Sequence, residues 1–534
     1  MDAKPTPATP ERIPFKVALI PLVLMITVMA ITVIGLEASS HIPLLVGTII
    51  ASIVGIRYGY PWKTVEQSVY RGIRMALPAI VIIILIGLTI GSWIGGGIVA
   101  TMVHYGLEIL SPSLFLFTIC LICAAITLAV GSSWATMGTI GVAGMGIGMS
   151  VGIPAPMVAG AIVSGAYFGD KLSPLSDTTN LAAGISEVDL FDHIRHMFYT
   201  TIPALIIALI VYYILGLQFH AEGLSAEQIR AIQQVLNKHF VISPWLLLVP
   251  AGVLVLIMFR VPALPALVAG IIMGWCSHVF VQGGEFSTAV ITLHDGYQLK
   301  SGNEMVDQLF NRGGIQAMMS TVALVIIAMS FGGVMEGTGM LKALVEKILL
   351  VARRAATLIT ATISSAFLIN LTAADQYMSI LVPARMYTDA FRRLRLKPKN
   401  LSRALEDGGT VTSVLVPWNT CGVFAFSMLG VSAMEFAPYA VLNYSVPLIA
   451  ILLAFLGIGV EPMSAEEIAE AEREEALAAA AAGGNVASPP GSPHAGPPPA
   501  AAAPSSAPTP TASGTTATVM HPGSDPVVNA PNKD

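Results

Sequence analysis

The sequence is poor in charge. Only 11% of its 534 residues are Asp, Glu, Lys or Arg, against about 25% in soluble domains. With 54% hydrophobic residues, that deficit excludes an ordinary water-soluble globule. Cysteine is scarce as well. The four present, Cys120, Cys123, Cys276 and Cys421, lie in apolar segments and cannot form a disulfide scaffold. Cys120 and Cys123 make a C-x-x-C with no nearby His or second Cys pair, so they read as small core residues rather than a metal or redox centre. A formal net charge of -5 is too small to imply a polyionic partner, and no nucleic acid is expected. Gly95-Gly96-Gly97 and the glycine-rich run from Gly141 to Gly152 lack the strand-glycine-helix setting of a nucleotide loop. Close helix packing or hairpin turns account for them, and no cofactor is expected.

What the chain has instead is long apolar runs, many of about 18 residues or more, each enough to cross a bilayer. The fold class read from them is an all-α polytopic membrane protein. Spans are expected near Phe15–Leu36, Ile42–Gly59 and Ala76–Ile98, with Arg57, Lys63, Arg71 and Arg74 in a basic loop before the third. The first run lacks a following small-x-small cleavage site and reads as a retained span. Ser113–Ser150 is apolar but interrupted at Gly131-Ser132-Ser133-Trp134. Pro156–Leu190 contains a polar break, an interfacial piece Glu187–His196 follows, and Met197–Leu217 closes this half.

The second half repeats the first. Ile42-Pro43-Leu44-Leu45-Val46-Gly47 reads like Leu264-Pro265-Ala266-Leu267-Val268-Ala269. Gly91 and Gly96 match Gly332 and Gly337, Ser133 falls beside Asp375, Pro174 beside Pro417, and Pro203 beside Pro447. A longer polar loop, Gln282–Gly313, absorbs the change of register. The expected organisation is a disordered 1–14, a first repeat 15–217, a polar linker 218–240 with an amphipathic helix Ser225–His239, a second repeat 241–459, and a disordered Ala/Pro-rich cytoplasmic tail 460–534. Basic residues in short loops mark the cytoplasmic side. Lys4, Arg12 and Lys16 put the N-terminus inside. Ser113–Ser150 begins and ends on a charge-poor, outer side. Ala356–Tyr387 has basic residues at both ends and so begins and ends inside. Each reads as a re-entrant hairpin, and the repeats are inverted, each with five spans. A rival reading makes each hairpin two full crossings, and loop charge alone does not separate the two.

The stretch Gly169-Asp170-Lys171-Leu172-Ser173-Pro174-Leu175-Ser176-Asp177-Thr178-Thr179-Asn180 carries the chemistry. Ionisable groups at membrane depth are costly and point to function. Pro174 breaks a helix, and half-helix ends hold ions and substrates in transporters; the bland alternative is a water-facing loop. Asp177, flanked by Ser176, Thr178 and Thr179, is the first candidate for a Na+ or H+ carrier, with a helix N-cap as the competing role. Asp170 is a candidate, alone or paired with Lys171. In the second half Asp375 at the hairpin tip, near Asn370 and Thr372, is the strongest candidate. Asn419 and Thr420, at the break Val416-Pro417-Trp418-Asn419-Thr420-Cys421-Gly422, supply neutral oxygens, as does Ser133 in the first hairpin. Asp177 and Asp375 are the carboxylates expected to meet Na+. Glu406 and Asp407, before Gly408-Gly409, read as site residues or, more blandly, as a cytoplasmic helix entry near Arg403, Glu336 as interfacial or functional, and His193 and His196 as solvated.

The G-D-K-x-S-P-L-S-D-T-T-N run, within Phe15–Gly459, resembles the NhaC family of Na+/H+ antiporters. That resemblance implies discontinuous helices at the midplane, a homodimer, and an elevator-type motion of a substrate domain in the cell (inner) membrane. It also implies that Ser176-Asp177-Thr178 and Asn419-Thr420 stand where related transporters hold Na+, although Asp177 replaces an Asn and Trp418 a Ser. The expected function is Na+/H+ antiport, with Na+ and protons as the transported species. The alternative is a Na+- and H+-coupled malate/lactate-type exchanger of organic anions, for which Lys171 and Arg385 are the available cations. A third class, an intramembrane aspartyl protease, is suggested by Gly165-Ala166-Tyr167-Phe168-Gly169-Asp170. There Tyr167 occupies the first glycine of the G-x-G-D signature, and the internal repeat has no role in such an enzyme. No enzymatic activity is expected.

Overall fold

A computed structural model describes residues 12–36, 39–109, 112–219, 226–259, 261–302, 306–307, 310–350, 352–469 and 473. The chain divides into two compact units, Met1–Ala469 and Glu470–Asp534. The fold below is that of the first; the disorder expected of residues 1–11 and 474–534 lies outside the described residues. The described chain is helical, and its one β-bridge joins Leu396 to Pro462. Among the described residues six helices are long and apolar enough to cross a membrane, or up to eight if each of two sharply bent pairs is one span.

The first half runs α1 (Phe15–Met29), α2 (His41–Arg57), α3 (Trp62–Gly95), α4 (Ile98–Ile109) and α5 (Pro112–Val130). After a turn come α6 (Ser133–Thr136), a π segment and α7 (Val142–Ser150), then α8 (Ala155–Leu172), α9 (Asp177–Ile185) and α10 (Leu190–Leu217). Lys63, Arg71 and Arg74 are on α3, not in a loop. Proline at the N-cap starts that helix at Trp62, and its first turns carry the charges before the apolar face takes over. Likewise α10 begins at Leu190, where Asp189 Oδ1 accepts from the amides of Phe191 (3.0 Å) and Asp192 (3.1 Å). The expected interfacial piece is thus the first turns of one long helix.

The second half runs α11 (Ala226–His239), α12 (Leu248–Met258), α13 (Ala263–Phe280), α14 (Phe286–Asp295), α15 (Gly314–Gly337), α16 (Met340–Leu349), α17 (Ala355–Thr372) and α18 (Gln376–Arg393). Then follow α19 (Pro398–Leu405), a π segment Glu406–Thr410, α20 (Val411–Ser413), α21 (Thr420–Leu429), α22 (Ala433–Phe436) and α23 (Val441–Leu456). The stretch 282–313, read as loop, contains α14.

Two bundles organise these elements. In one, α2, α13 and α15 pack against α3, and α1 packs against α2. α3 and α15 approach until backbones touch: a Cβ at Gly333 would lie 2.3 Å from the Ser68 carbonyl oxygen, and one at Gly72 2.0 Å from that of Met329. Small residues let membrane helices pack this closely. The other bundle holds both hairpins and both broken helices: α5 and α10 against α8, α17 against α18 and α23, and α10 against α23. Every residue of α8 from Val158 to Leu172 is buried, as expected for a helix enclosed by protein on all sides.

Candidate functional site

Four times in the second bundle a helix stops and another starts from a polar cap. After Val130, Ser132 Oγ accepts from the amide of Ala135 (3.2 Å). After Leu172, Ser176 Oγ accepts from Thr179 (3.5 Å). After Thr372, Asp375 Oδ1 accepts from Met378 (3.0 Å), and before α21 Asn419 Oδ1 accepts from Cys421 (3.0 Å). Each cap satisfies a free N–H of a new first turn. Gly131, at φ 78°, turns the first hairpin where a Cβ would meet Leu175 at 2.6 Å. Ala374 makes the second turn at φ 58°, and its carbonyl oxygen accepts from the Thr420 amide at 2.9 Å. Each hairpin tip therefore touches the break of the helix in its own half.

Asp170 joins the first tip to the first break. Its Oδ2 accepts from Ser133 Oγ at 2.5 Å and from the Ser133 amide at 3.3 Å, and its Oδ1 accepts from Ser176 Oγ at 2.7 Å. The residue is 3% exposed. Asp177, the first residue of α9, accepts from the Tyr377 hydroxyl on α18, so it spans the two halves. A cavity of about 490 Å³ is lined by Ser133, Asp170, Asp177, Asp375 and Thr420 together. Its far wall is apolar and comes from α3 and α13, with Met75, Ile82, Ile86 and Leu267. Trp134 and Phe424 stack at 4.0 Å between ring centroids on the near side.

Other candidates face elsewhere. Thr179 Oγ1 donates to the carbonyls of Asp170 (3.2 Å) and Lys171 (3.1 Å), closing the end of α8. Thr178 Oγ1 lies 3.1 Å from Ser176 Oγ. Asn419 Nδ2 donates to Asn370 Oδ1 at 3.1 Å, so both amides brace the second break. Lys171 does not pair with Asp170. It is fully buried and paired with Asp407, whose Oδ1 also accepts from Thr200 Oγ1 at 2.9 Å. Glu406, Asp407 and Arg403 are all 0% exposed, not at a cytoplasmic helix start, with Arg403 Nε 3.8 Å from Asp407 Oδ2. His193 and His196 are buried rather than solvated, and His193 Nδ1 lies 2.8 Å from Ser402 Oγ. Glu336 is half-buried near the end of α15 and Arg385 is exposed.

Sequence reasoning missed Tyr377, Gln376 and the Trp134–Phe424 pair. Tyr377 stands two residues from Asp375 and could have been found there. The aromatic pair joins residues from opposite halves, so no local pattern marks it. Among the described residues no three His, Cys, Asp or Glu side chains lie close enough together to share one metal ion. The donors at the cavity are carboxylates and hydroxyls, hard oxygens that suit an alkali cation or a proton.

Comparison with known proteins agrees with this chemistry. The model of the Na+/H+ antiporter family matches residues 11–166 and 165–458. The chain is 40% identical over 438 residues to the Na(+)/H(+) antiporter NhaC of Alkalihalophilus pseudofirmus, covering 82% of this chain and 94% of that protein. It is 37% identical over 447 residues to the NhaC of Bacillus subtilis (84% and 99%). It is also 36% identical over 443 residues to the malate-2H(+)/Na(+)-lactate antiporter of B. subtilis (83% and 94%).

Proposed function

The chain belongs to the Na+/H+ antiporter family, and from that premise we propose that it exchanges Na+ for protons through the cavity shared by Asp170, Asp177 and Asp375. It is a multi-pass membrane protein and a secondary antiporter by kinship. The carrying observation is Asp170, a buried carboxylate held by hydroxyls from both a hairpin tip and a helix break. Such a group takes either a proton or a small cation, and one excludes the other. With the proton gone, the Ser133, Ser176 and Thr420 hydroxyls turn lone pairs toward Na+. Exclusive occupancy of one carboxylate couples the two fluxes in opposite directions. Asp375 supplies the corresponding carboxylate from the second half, and Asp177 holds the cavity mouth negative.

The proposal extends to architecture. The recurrence of tip, break and capped half-helix in both halves supports inverted repeats at 15–217 and 241–459, joined by the linker 218–240 and followed by a tail from 460. The gathering of hairpins and broken helices in one bundle, apart from the bundle around α3, supports an elevator-type movement of the former. A homodimer in the inner membrane with cytoplasmic termini completes the reading, on the strength of the resemblance and the basic residues near Arg57 and Arg395. The organic-anion alternative is disfavoured. Among the described residues no Lys, Arg or His lines the cavity, and Lys171 is already neutralised by Asp407.

The test is Na+-driven proton movement in proteoliposomes, with malate and lactate run beside Na+. Exchange should require Na+ and vanish in Asp170→Asn. Exchange that survives in Asp170→Asn and Asp375→Asn, or that needs malate, would overturn the assignment.

A further inference from the structure

The cavity is far larger than an alkali cation needs. A single water requires on the order of 10–15 Å³ of probe volume, whereas this space is about 490 Å³, within the range of small-molecule sites. Its lining is also lopsided. Three carboxylates, Asp170, Asp177 and Asp375, line it, and no cationic side chain among the described lining residues balances them. Besides the hydroxyl and amide groups of Ser132, Ser133, Thr139, Gln376 and Thr420, the remaining lining is apolar or aromatic. Ile82 and Ile86 of α3 line the same cavity as the Trp134–Phe424 stack, and an aromatic face attracts cations. A bare ion uses the carboxylates and leaves the rest without purpose. A carboxylate-bearing solute meets uncompensated negative charge.

We propose that the same cavity takes an organic monocation, an ammonium group carrying an apolar body, in place of Na+. The ammonium sits toward Asp170 and Asp375 and the body lies between the α3 wall and Trp134. The proposal rests on the cavity being the transport site, and it adds a substrate class to that reading. In exchange terms the organic cation replaces Na+ one for one against protons, with no change in charge balance.

The experiment uses the full-length protein in proteoliposomes and follows tryptophan fluorescence, with Trp134→Phe assigning the signal among the six tryptophans. The probe is benzyltrimethylammonium, whose fixed charge cannot collapse a pH gradient as a weak base would. Benzyl alcohol and benzenesulfonate are its neutral and anionic counterparts. We expect saturable quenching by the cation alone, competitive displacement by Na+, and an affinity about tenfold or more weaker in Asp170→Asn. Equal quenching by the neutral or anionic compound, no saturation, or indifference to Na+ overturns the proposal. If Asp170→Asn fails to fold, the three probes on the wild-type protein still decide. Na+-driven proton flux is measured separately on the same vesicles. Flux without cation binding sinks this inference alone; Na+-competed cation binding without flux sinks the Na+/H+ reading and the exchange of the organic cation with it, leaving only binding in the cavity.

Discussion

Asp170 and Lys171 are adjacent in the chain, yet one faces the cavity and the other a buried ion pair with Asp407. The two positions should fail differently. Asp170→Asn keeps the shape and removes the acceptor of two serine hydroxyls, so transport should fall about 100-fold or more while the purified protein still unfolds cooperatively. Tyr377→Phe removes one donor to Asp177 and should raise the half-saturating Na+ concentration by up to about tenfold, read from the Na+ dependence of proton flux. Lys171→Ala takes from Asp407 the nearer of its two buried cations, leaving Arg403 Nε at 3.8 Å, in a site where both partners are fully buried. Breaking such a pair costs about 3–5 kcal/mol, visible as a large drop in thermal stability in detergent. Lys171→Met combined with Asp407→Leu should recover little of that loss, because Arg403, fully buried 3.8 Å from Asp407, then loses its carboxylate.

At the scale of the elements, the hairpin tips depend on two left-handed residues. Gly131→Ala asks an L-residue to hold φ 78° and pushes a methyl against Leu175, a cost of about 1–2 kcal/mol from the backbone alone. Ala374 already bears that conformation at φ 58°, so Ala374→Gly should leave thermal stability unchanged or raised. Comparing the two melting curves tests the pair. These breaks were legible in the sequence because each announces itself. Pro174 cannot continue a helix, Gly131 can adopt the turn, and Asp375 and Asn419 are good caps placed where apolar residues are expected. The extent of α3 was not legible, since Lys63, Arg71 and Arg74 look like a loop until the apolar face beneath them is known. Nor was the Lys171–Asp407 contact. Nothing in either local pattern says that residues so far apart in sequence meet, and each charge alone suggests a surface.

For the molecule as a whole, the segment after α23 closes over the start of α19. The Lys397 amide donates to the Glu461 carbonyl at 3.0 Å and the Met463 amide to that of Arg395 at 2.8 Å, while Lys399 Nζ lies 2.5 Å from a Glu461 carboxylate oxygen. Glu467 caps the following turn. The Ser464 amide, and then the Lys397 ammonium, hold its carboxyl below the usual 4.5. A depressed carboxyl stabilises above its ordinary value and loses that contribution as pH falls through the lowered one. Amide exchange over 461–469 should therefore quicken, after correction for intrinsic rates, as pH drops below about 4.5, and Glu467→Gln should flatten that dependence.

The buried pair contributed by Lys171 and Asp407 has a further bearing on how such a chain can be divided. Cut within 226–239, the first fragment would carry Lys171 into the lipid without Asp407, while Asp407 in the second would keep only Arg403, 3.8 Å away. Neither polypeptide should accumulate when made by itself, whereas producing both in one cell should restore a working transporter.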